Sequence, residues 1–354
     1  MRYPALLLFL LCFCWATVAE ARIYSQADYT SIACSSVTSN CTFGSGTPSG
    51  AFAVGDVLDL NGTSSDGGYL ITAINVGADS KVITVYPTPA TFTADTSFTV
   101  AHAALVPLGH RYYYVFSPAG VGGTPCAVVS MHPAYTNVYT WQHSLGLSAG
   151  MEASSTKCLV IYPVGIAFPT LVTLEFWIAY QPVCCNTNYR AWEDDIGFIH
   201  DVRADIIARN AVPSNAVYLT GFSNGAIHTL SYWCRYPSDL AGSIVLAGAL
   251  VTDHDACTPS LAGKRIDWIY GINDVVVPPG GGQGSVGTAV YKPLSDSVTY
   301  LRGLSATVNT VPLTVSGCSV GVTGHCLAGI DAALTNLDGS TFASRILAMI
   351  NGTW

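Results

Sequence analysis

Val217-Tyr-Leu-Thr-Gly221-Phe-Ser223-Asn-Gly225-Ala-Ile-His228 is the stretch of sequence that decides the fold. Its first residues are apolar and β-prone, its middle reads Gly-x-Ser-x-Gly, and a helix-compatible segment runs on to Trp233. A strand, a tight turn and a helix in that order are the context of a nucleophile elbow. The flanking glycines relieve crowding in the turn, so the Ser223 hydroxyl should project from the carboxyl end of the strand. The stretch predicts a reactive serine; a capping serine in a plain turn is the alternative.

The sequence around the elbow alternates between apolar strands and helical segments. Several of the strands are continuously apolar, as a sheet covered on both faces requires. Alternation over roughly 250 residues predicts an α/β fold with one doubly wound, mostly parallel sheet across residues 106–354. The predicted strands are 111–116, 126–131, 158–162, 217–222, 242–246, 266–270 and 311–315, and the predicted helices are 191–209, 226–235, 288–303 and 340–350.

Residues 22–105 show a different sequence pattern, without the alternation of strands and helices. Short strand-like runs at 53–60, 68–76, 81–86 and 97–100 are separated by turn sequences, which predicts a small all-β N-terminal module. It could serve as a structural extension or as an accessory that binds substrate or a surface.

Residues 1–21 combine a basic start, a short apolar core and Ala19-Glu20-Ala21. This pattern is typical of a secretory signal peptide and predicts an extracellular protein.

Composition narrows the range of partners. The formal net charge is −8 and only 10% of residues are charged, which argues against nucleic acid and anionic membranes. No later apolar run is long enough to span a bilayer. Without Cys-x-x-Cys or His-Glu-x-x-His, no metal or other cofactor is expected. A polymeric or polymer-linked ester would suit such a surface, and the sequence leaves the oligomeric state open.

Ten of the twelve cysteines follow the signal peptide. An even number in an exported chain predicts disulfide bonds. Cys34 and Cys41 should close a small loop, whereas the eight cysteines of the larger domain allow 105 pairings. Three sequons would accept glycans in a eukaryotic host: Asn40-Cys-Thr42, Asn61-Gly-Thr63 and Asn351-Gly-Thr353.

A serine nucleophile needs a base and an orienting acid, which follow it in the order Ser, acid, His in this kind of fold. His325 is the only histidine after Asp274, and it precedes the last predicted helix. Asp274 follows a predicted strand directly and is therefore the favoured acid. The other candidate acids are Asp253, Asp255 and Asp267.

The oxyanion hole needs two backbone N–H donors. Asn224, directly after the serine, supplies the first. The second should come from Met131-His-Pro-Ala-Tyr135, the loop after an earlier strand; because Pro133 has no N–H, Ala134 is the candidate. Tyr135 and His132 on that loop, with Val276 just after Asp274, are the candidate substrate contacts.

With these motifs in order, residues 108–350 resemble the secreted esterase family that contains poly(3-hydroxybutyrate) depolymerases, feruloyl esterases and acetylxylan esterases. The resemblance implies an α/β-hydrolase fold, ester hydrolysis through an acyl-enzyme without a metal, and the same roles for Ser223, His325 and Asp274. The sequences that carry it are His132-Pro-Ala, Cys184-Cys185, Asp194-Asp-Ile-Gly-Phe-Ile199, Gly221-Phe-Ser-Asn-Gly-Ala226, Tyr270-Gly-Ile-Asn-Asp274-x-Val-Val-Pro and Gly324-His325.

The chain departs from that family at two places. His132-Pro133-Ala134 replaces the family's His-Gly-Cys, which removes a cysteine and leaves the partner of Cys184 or Cys185 open. Cys326-Leu327 stands where the family often has Trp-Pro. Two pairings are expected from position in the chain: Cys318 with Cys326, which would fix the histidine loop, and Cys126 with Cys158, near the starts of neighbouring strands.

The sequence therefore favours a secreted serine carboxylic-ester hydrolase acting on a polyester such as poly(3-hydroxybutyrate). The alternative substrates are feruloyl or acetyl groups on plant polysaccharide. A non-catalytic binding or adhesion protein on a hydrolase scaffold is the hypothesis from another class.

Overall fold

The computed structural model describes residues 23–25, 32–34, 40–43, 57–60, 67–75, 82–86, 92–95, 98–101, 103–109, 111–123, 125–168, 171–177, 194–250, 257, 260–286, 289–319 and 321–353. The predicted signal peptide, Asn61 and the Cys184-Cys185 pair lie outside them.

The N-terminal part contains a purely antiparallel sheet, as the sequence predicts. Its strands lie in the order β1-β8-β4-β5-β6-β3-β2-β7, where β1 is Ile23–Ser25, β2 Ile32–Cys34, β3 Asn40–Phe43, β4 Val57–Leu60, β5 Gly67–Asn75, β6 Val82–Tyr86, β7 Phe92–Asp95 and β8 Phe98–Ala101. Leu58, Ile71 and Val85 are buried. Cys34 is bonded to Cys41 across β2 and β3, which confirms that pairing.

The larger part is built on a second eight-stranded sheet. Its strands are β9 Ala103–Leu108, β10 Arg111–Phe116, β11 Cys126–Met131, β12 Cys158–Pro163, β15 Val217–Phe222, β16 Gly242–Leu246, β17 Arg265–Gly271 and β20 Thr307–Leu313. Two small hairpins pair β13 Ile166–Phe168 with β14 Leu171–Phe176, and β18 Gly282–Gln283 with β19 Val290–Tyr291.

The order of the large sheet is β9-β10-β12-β11-β15-β16-β17-β20. Only β10 runs against its neighbours, and the other pairings are parallel. The chain therefore starts at one edge, exchanges β11 and β12, and winds outward to the other edge. This is the sheet of the α/β-hydrolase fold, as expected.

Helices cover both faces of this sheet and create two cores. They are α1 Val138–Leu145, α2 Leu147–Ala153, α3 Asp195–Asn210, α4 Asn224–Arg235, α5 Leu294–Gly303, α6 Leu327–Asp338 and α7 Phe342–Ile350, with a short 3-10 turn at Pro237–Asp239. The first core packs α3, α4 and α5 on one face, and the second packs α1, α2, α6 and α7 on the other. None of the helices in the described part of the chain is long and apolar enough to cross a membrane.

Several features differ from the sequence-based expectation. The predicted helix 288–303 begins only at Leu294, because Val290–Tyr291 form β19. Helices α1, α2 and α6 are additional to the four that were predicted. Strand β20, Thr307–Leu313, begins four residues earlier and ends two residues earlier than the predicted strand 311–315. This edge strand is exposed at most positions, so it lacks the continuous apolar run on which the prediction relied. Strand β9 pairs with β10 along its whole length, so the predicted boundary after residue 105 cuts through it; the division into domains stays a prediction.

Candidate active site

The elbow stretch folds as a strand, a turn and a helix. Ser223 occupies the single turn residue between β15 and α4, with φ 55° and ψ −118°, a strained conformation for a residue with a side chain. A Cβ on Gly221 would lie 2.5 Å from the backbone of Gly225, and one on Gly225 would lie 2.4 Å from the carbonyl oxygen of Met131. Gly221 therefore lets the start of α4 lie against β15, and Gly225 lets it approach the end of β11.

Three side chains from three strand ends meet beside this turn. The His325 Nε2 atom lies 2.7 Å from the Ser223 Oγ atom, and the His325 Nδ1 atom lies 2.6 Å from the Asp274 Oδ2 atom. A carboxylate accepts from the Nδ1–H group, which leaves Nε2 as the acceptor for the serine hydroxyl. The histidine is 8% exposed and the aspartate 4%. A serine, a base and an orienting acid thus form one hydrogen-bonded chain.

The loops that carry the acid and the base fix each other. The Asp274 Oδ1 atom accepts from the backbone N–H groups of Val276 and Val277 at 2.8 and 2.9 Å, so Oδ2 remains directed at the imidazole. A Cβ on Gly324 would lie 2.5 Å from the carbonyl of Asn273. Gly324 also has φ 77°, a conformation that favours glycine. The glycine before the histidine is what lets the two loops touch.

One disulfide bond reinforces the histidine loop, whereas the bonds made by Cys126 and Cys234 lie away from it. Cys318 is bonded to Cys326, which directly follows the histidine, and Cys126 is bonded to Cys158 between adjacent strands. Both pairings agree with the sequence-based expectation. Cys234, on α4, is bonded to Cys257, a pair that the sequence did not single out.

The loop after β11 borders the serine. Ala134 and Asn224 line the same cavity as Ser223, and the Asn224 N–H group belongs to the first turn of α4, whose N–H groups have no acceptor within the helix. Tyr135 is 46% exposed and has φ 62°, an uncommon backbone conformation for an aromatic residue. Two of the non-glycine residues with positive φ in the described part of the chain are thus the serine and a residue of the loop that faces it.

His132 does not contact the cavity, contrary to its prediction as a substrate contact. Its side chain is fully buried behind the loop, the Nε2 atom accepts from the Gly165 N–H group at 3.1 Å, and Nδ1 lies 2.8 Å from the Pro133 carbonyl. Burial lowers the pKa of His132 to about 4. The imidazole is therefore neutral, with its proton on Nδ1, and supports the loop from behind.

A cavity of about 260 Å³ opens beside the serine. Its walls include Tyr135 and Val276, two of the predicted substrate contacts. Its other side chains are mostly apolar and were not singled out from the sequence: Pro133, Phe222, Ile227, Val277, Val286, Tyr291 and Val322. Burial and the charge of Asp274 raise the pKa of Tyr291 to about 12, so its hydroxyl stays protonated at neutral pH.

The remaining candidate residues lie elsewhere. Asp267 is inside β17 and pairs with Arg265 at the amino end of the strand, far from the serine edge. His200 and His228 lie on α3 and α4 and do not line the cavity beside Ser223. Asp253 and Asp255, the other alternative acids, lie outside the described residues.

No protein-family model matches the chain, and no curated protein matches its sequence. Solved structures do match. A carboxylesterase from Mesorhizobium loti is 15% identical, covering 67% of this chain and 99% of the other with a TM-score of 0.47. A phospholipase/carboxylesterase from Dyadobacter fermentans is 20% identical (63% and 94% covered, TM-score 0.43). An acetyl xylan esterase from Aspergillus awamori is 16% identical (60% and 93% covered, TM-score 0.40). These likenesses concern the fold.

Proposed function

We propose that this protein is a secreted serine carboxylic-ester hydrolase. The observation that carries the proposal is the hydrogen-bonded chain of Ser223, His325 and Asp274 at the mouth of an apolar cavity. The Asp274 carboxylate orients the His325 imidazole, and the imidazole accepts the proton of the Ser223 hydroxyl.

In the first half-reaction the Ser223 Oγ atom attacks the ester carbonyl carbon while its proton moves to His325 Nε2. The Asp274 carboxylate stabilises the imidazolium that forms. The negative charge on the carbonyl oxygen is met by the N–H groups of Asn224 and Ala134, assisted by the positive end of α4. The C–O bond then breaks, the alcohol leaves with the proton from Nε2, and the acyl group stays on Oγ.

In the second half-reaction water replaces the alcohol. His325 Nε2 removes a proton from the water, the hydroxide attacks the acyl carbonyl, and the same two N–H groups stabilise the second tetrahedral intermediate. Its collapse returns the proton to Oγ and releases the carboxylic acid. The reaction needs no cofactor, because every proton transfer is internal to the chain of three residues.

For the substrate we propose a polyester such as poly(3-hydroxybutyrate). The cavity can hold a small acyl unit, since its walls are mostly apolar and its volume of about 260 Å³ lies just below the usual range of ligand pockets. Exposed apolar side chains occur in the segments that flank it, among them Tyr135, Ile272, Val275 and Val290. Such a rim would adsorb to an apolar polymer, and it agrees with the low charge of the chain.

Feruloyl or acetyl groups on plant polysaccharide are the second candidate. Tyr291 lines the cavity and supports the aromatic acyl group, because a tyrosine hydroxyl that stays protonated can donate a hydrogen bond to a phenol.

A substrate panel separates these proposals. Purified protein would be assayed on p-nitrophenyl acetate, butyrate and octanoate, on methyl ferulate and on an emulsion of poly(3-hydroxybutyrate), with Ser223→Ala as control. We expect hydrolysis of butyrate, weaker hydrolysis of octanoate because of the small cavity, and clearing of the emulsion. Release of ferulate without clearing would favour the polysaccharide esterase. No turnover of any ester by the folded protein would favour a binding protein on a hydrolase scaffold.

A further inference from the structure

We propose that Trp177 is a positioning residue that ties the two halves of the oxyanion hole together, an inference that rests on the proposed hydrolase function. Trp177 follows β14 and is fully buried. From there it reaches both elements that carry the candidate N–H donors, the start of α4 and the loop after β11.

Its contact with α4 is made by the backbone. The Trp177 N–H group donates to the Asn224 Oδ1 atom at 2.7 Å, and the Trp177 carbonyl accepts from the Asn224 Nδ2 atom at 3.2 Å. The amide side chain of the residue after the nucleophile is thus held on both sides. Because Asn224 is itself 1% exposed, this pair of hydrogen bonds also satisfies a buried amide.

Its contact with the loop is made by the side chain. The indole Nε1–H group donates to the carbonyl of His132 at 2.9 Å, and the indole and imidazole rings pack with their centroids 4.7 Å apart. That carbonyl belongs to the peptide bond that enters Pro133, whose ring fixes φ. The orientation of the bonded peptide is therefore transmitted to the next N–H group, that of Ala134.

The indole is held rigidly enough to serve as this link. His228 stacks on it with centroids 5.6 Å apart, and the Arg111 guanidinium lies 5.7 Å from its centroid. A rigid planar donor between two backbone elements sets the distance between them. Misplacing an oxyanion donor by about 1 Å can cost on the order of 10²-fold in rate, so losing this link should reduce turnover.

Trp177→Phe tests the inference because it removes the indole N–H and keeps an aromatic ring. Trp268→Phe is the matched control, since Trp268 is also fully buried and donates its Nε1–H to a backbone carbonyl, that of Gly248, at 3.0 Å. We expect Trp177→Phe to lower kcat by about 10–100-fold with KM within about twofold. Trp268→Phe should cost similar thermal stability and leave kcat within about threefold.

A second readout separates positioning from packing. Binding of an alkyl boronic acid, whose tetrahedral adduct places an oxygen in the oxyanion hole, should weaken in Trp177→Phe by the same factor as kcat/KM. Binding of the carboxylic acid product should not change. If Trp177→Phe does not fold, Asn224→Ala removes the other link and keeps the backbone N–H donor, and the same pattern is expected.

Wild-type kcat and wild-type boronic acid binding in Trp177→Phe would overturn the inference, as would equal losses in Trp177→Phe and Trp268→Phe. Either result would leave the hydrolase proposal intact, because that proposal is judged by the turnover of the wild-type protein.

Discussion

The buried His132 predicts that the free energy of unfolding decreases as the pH falls. In the folded protein its Nε2 atom accepts a hydrogen bond from the Gly165 N–H group, and the ring packs against Trp177. Protonation of Nε2 would place its N–H group against the N–H group of Gly165, and the buried site offers no solvent to accept either proton. Burial, with a smaller contribution from Arg111 and His228, lowers the pKa of His132 from 6.5 to about 4.

The size of the effect follows from that difference. The unfolded chain binds a proton below pH 6.5, whereas the folded chain does so only below about pH 4. The stabilisation is therefore complete above pH 6.5 and is lost as the pH falls towards 4. A pKa difference of 6.5 − 4 = 2.5, at about 1.36 kcal/mol for each pKa unit, corresponds to about 3 kcal/mol. About 2 kcal/mol of it should be lost between pH 7 and pH 5.

The assay is reversible urea unfolding at pH 7, 6 and 5 with the disulfides intact, comparing the wild type with His132→Gln. The glutamine amide oxygen can accept from the Gly165 N–H group and does not titrate. Because His228 also has its pKa lowered by burial, both proteins should lose stability, but the wild type should lose about 2 kcal/mol more. Equal losses in the two proteins would refute the reasoning.

Three further changes test the site. Asp274→Asn should lower kcat by roughly 10⁴ with the thermal midpoint little changed, because the imidazole loses the acceptor that fixes its tautomer; near-normal turnover would transfer the role to another acid. Gly225→Ala should destabilise by about 1–3 kcal/mol and reduce turnover, since the new Cβ would lie 2.4 Å from the carbonyl at the end of β11. Gly303→Ala is its control, having open space around the Cβ position, and equal effects in both variants would contradict the close approach. Cys318→Ser should release Cys326 and cost about 2–3 kcal/mol, as expected for a short disulfide loop, with a larger loss of activity than of folded protein; full activity in the folded variant would show that the histidine loop needs no disulfide.

The sequence predicted the elements whose pattern is strong and local. The elbow could be found because Gly221 and Gly225 flank a serine between an apolar strand and a helix. His325 could be chosen because no other histidine follows Asp274. Helix α1 was not predicted, although Asn137 caps its start and Gly146 its end, because a helix of two turns shows little periodicity.

The rest of the site depends on contacts that no residue pattern encodes. Trp177 reaches Asn224 through backbone atoms and His132 through its indole N–H group, and no sequence pattern distinguishes it from an aromatic residue that only packs in the core. His132 itself carried a motif that suggests substrate contact, yet the loop turns its ring inward. Which side of a loop faces the cavity is decided by packing between distant elements, here Gly225 against the end of β11.

The most direct measurement of the central claim is labelling by a fluorophosphonate, followed by mass mapping of the modified peptide. We expect the folded wild type to react stoichiometrically at the Ser223 hydroxyl, because the His325 Nε2 atom lies 2.7 Å from it and accepts its proton. Ser223→Ala should not react. A folded wild type that stays unlabelled, or equal labelling of Ser223→Ala, would contradict that claim.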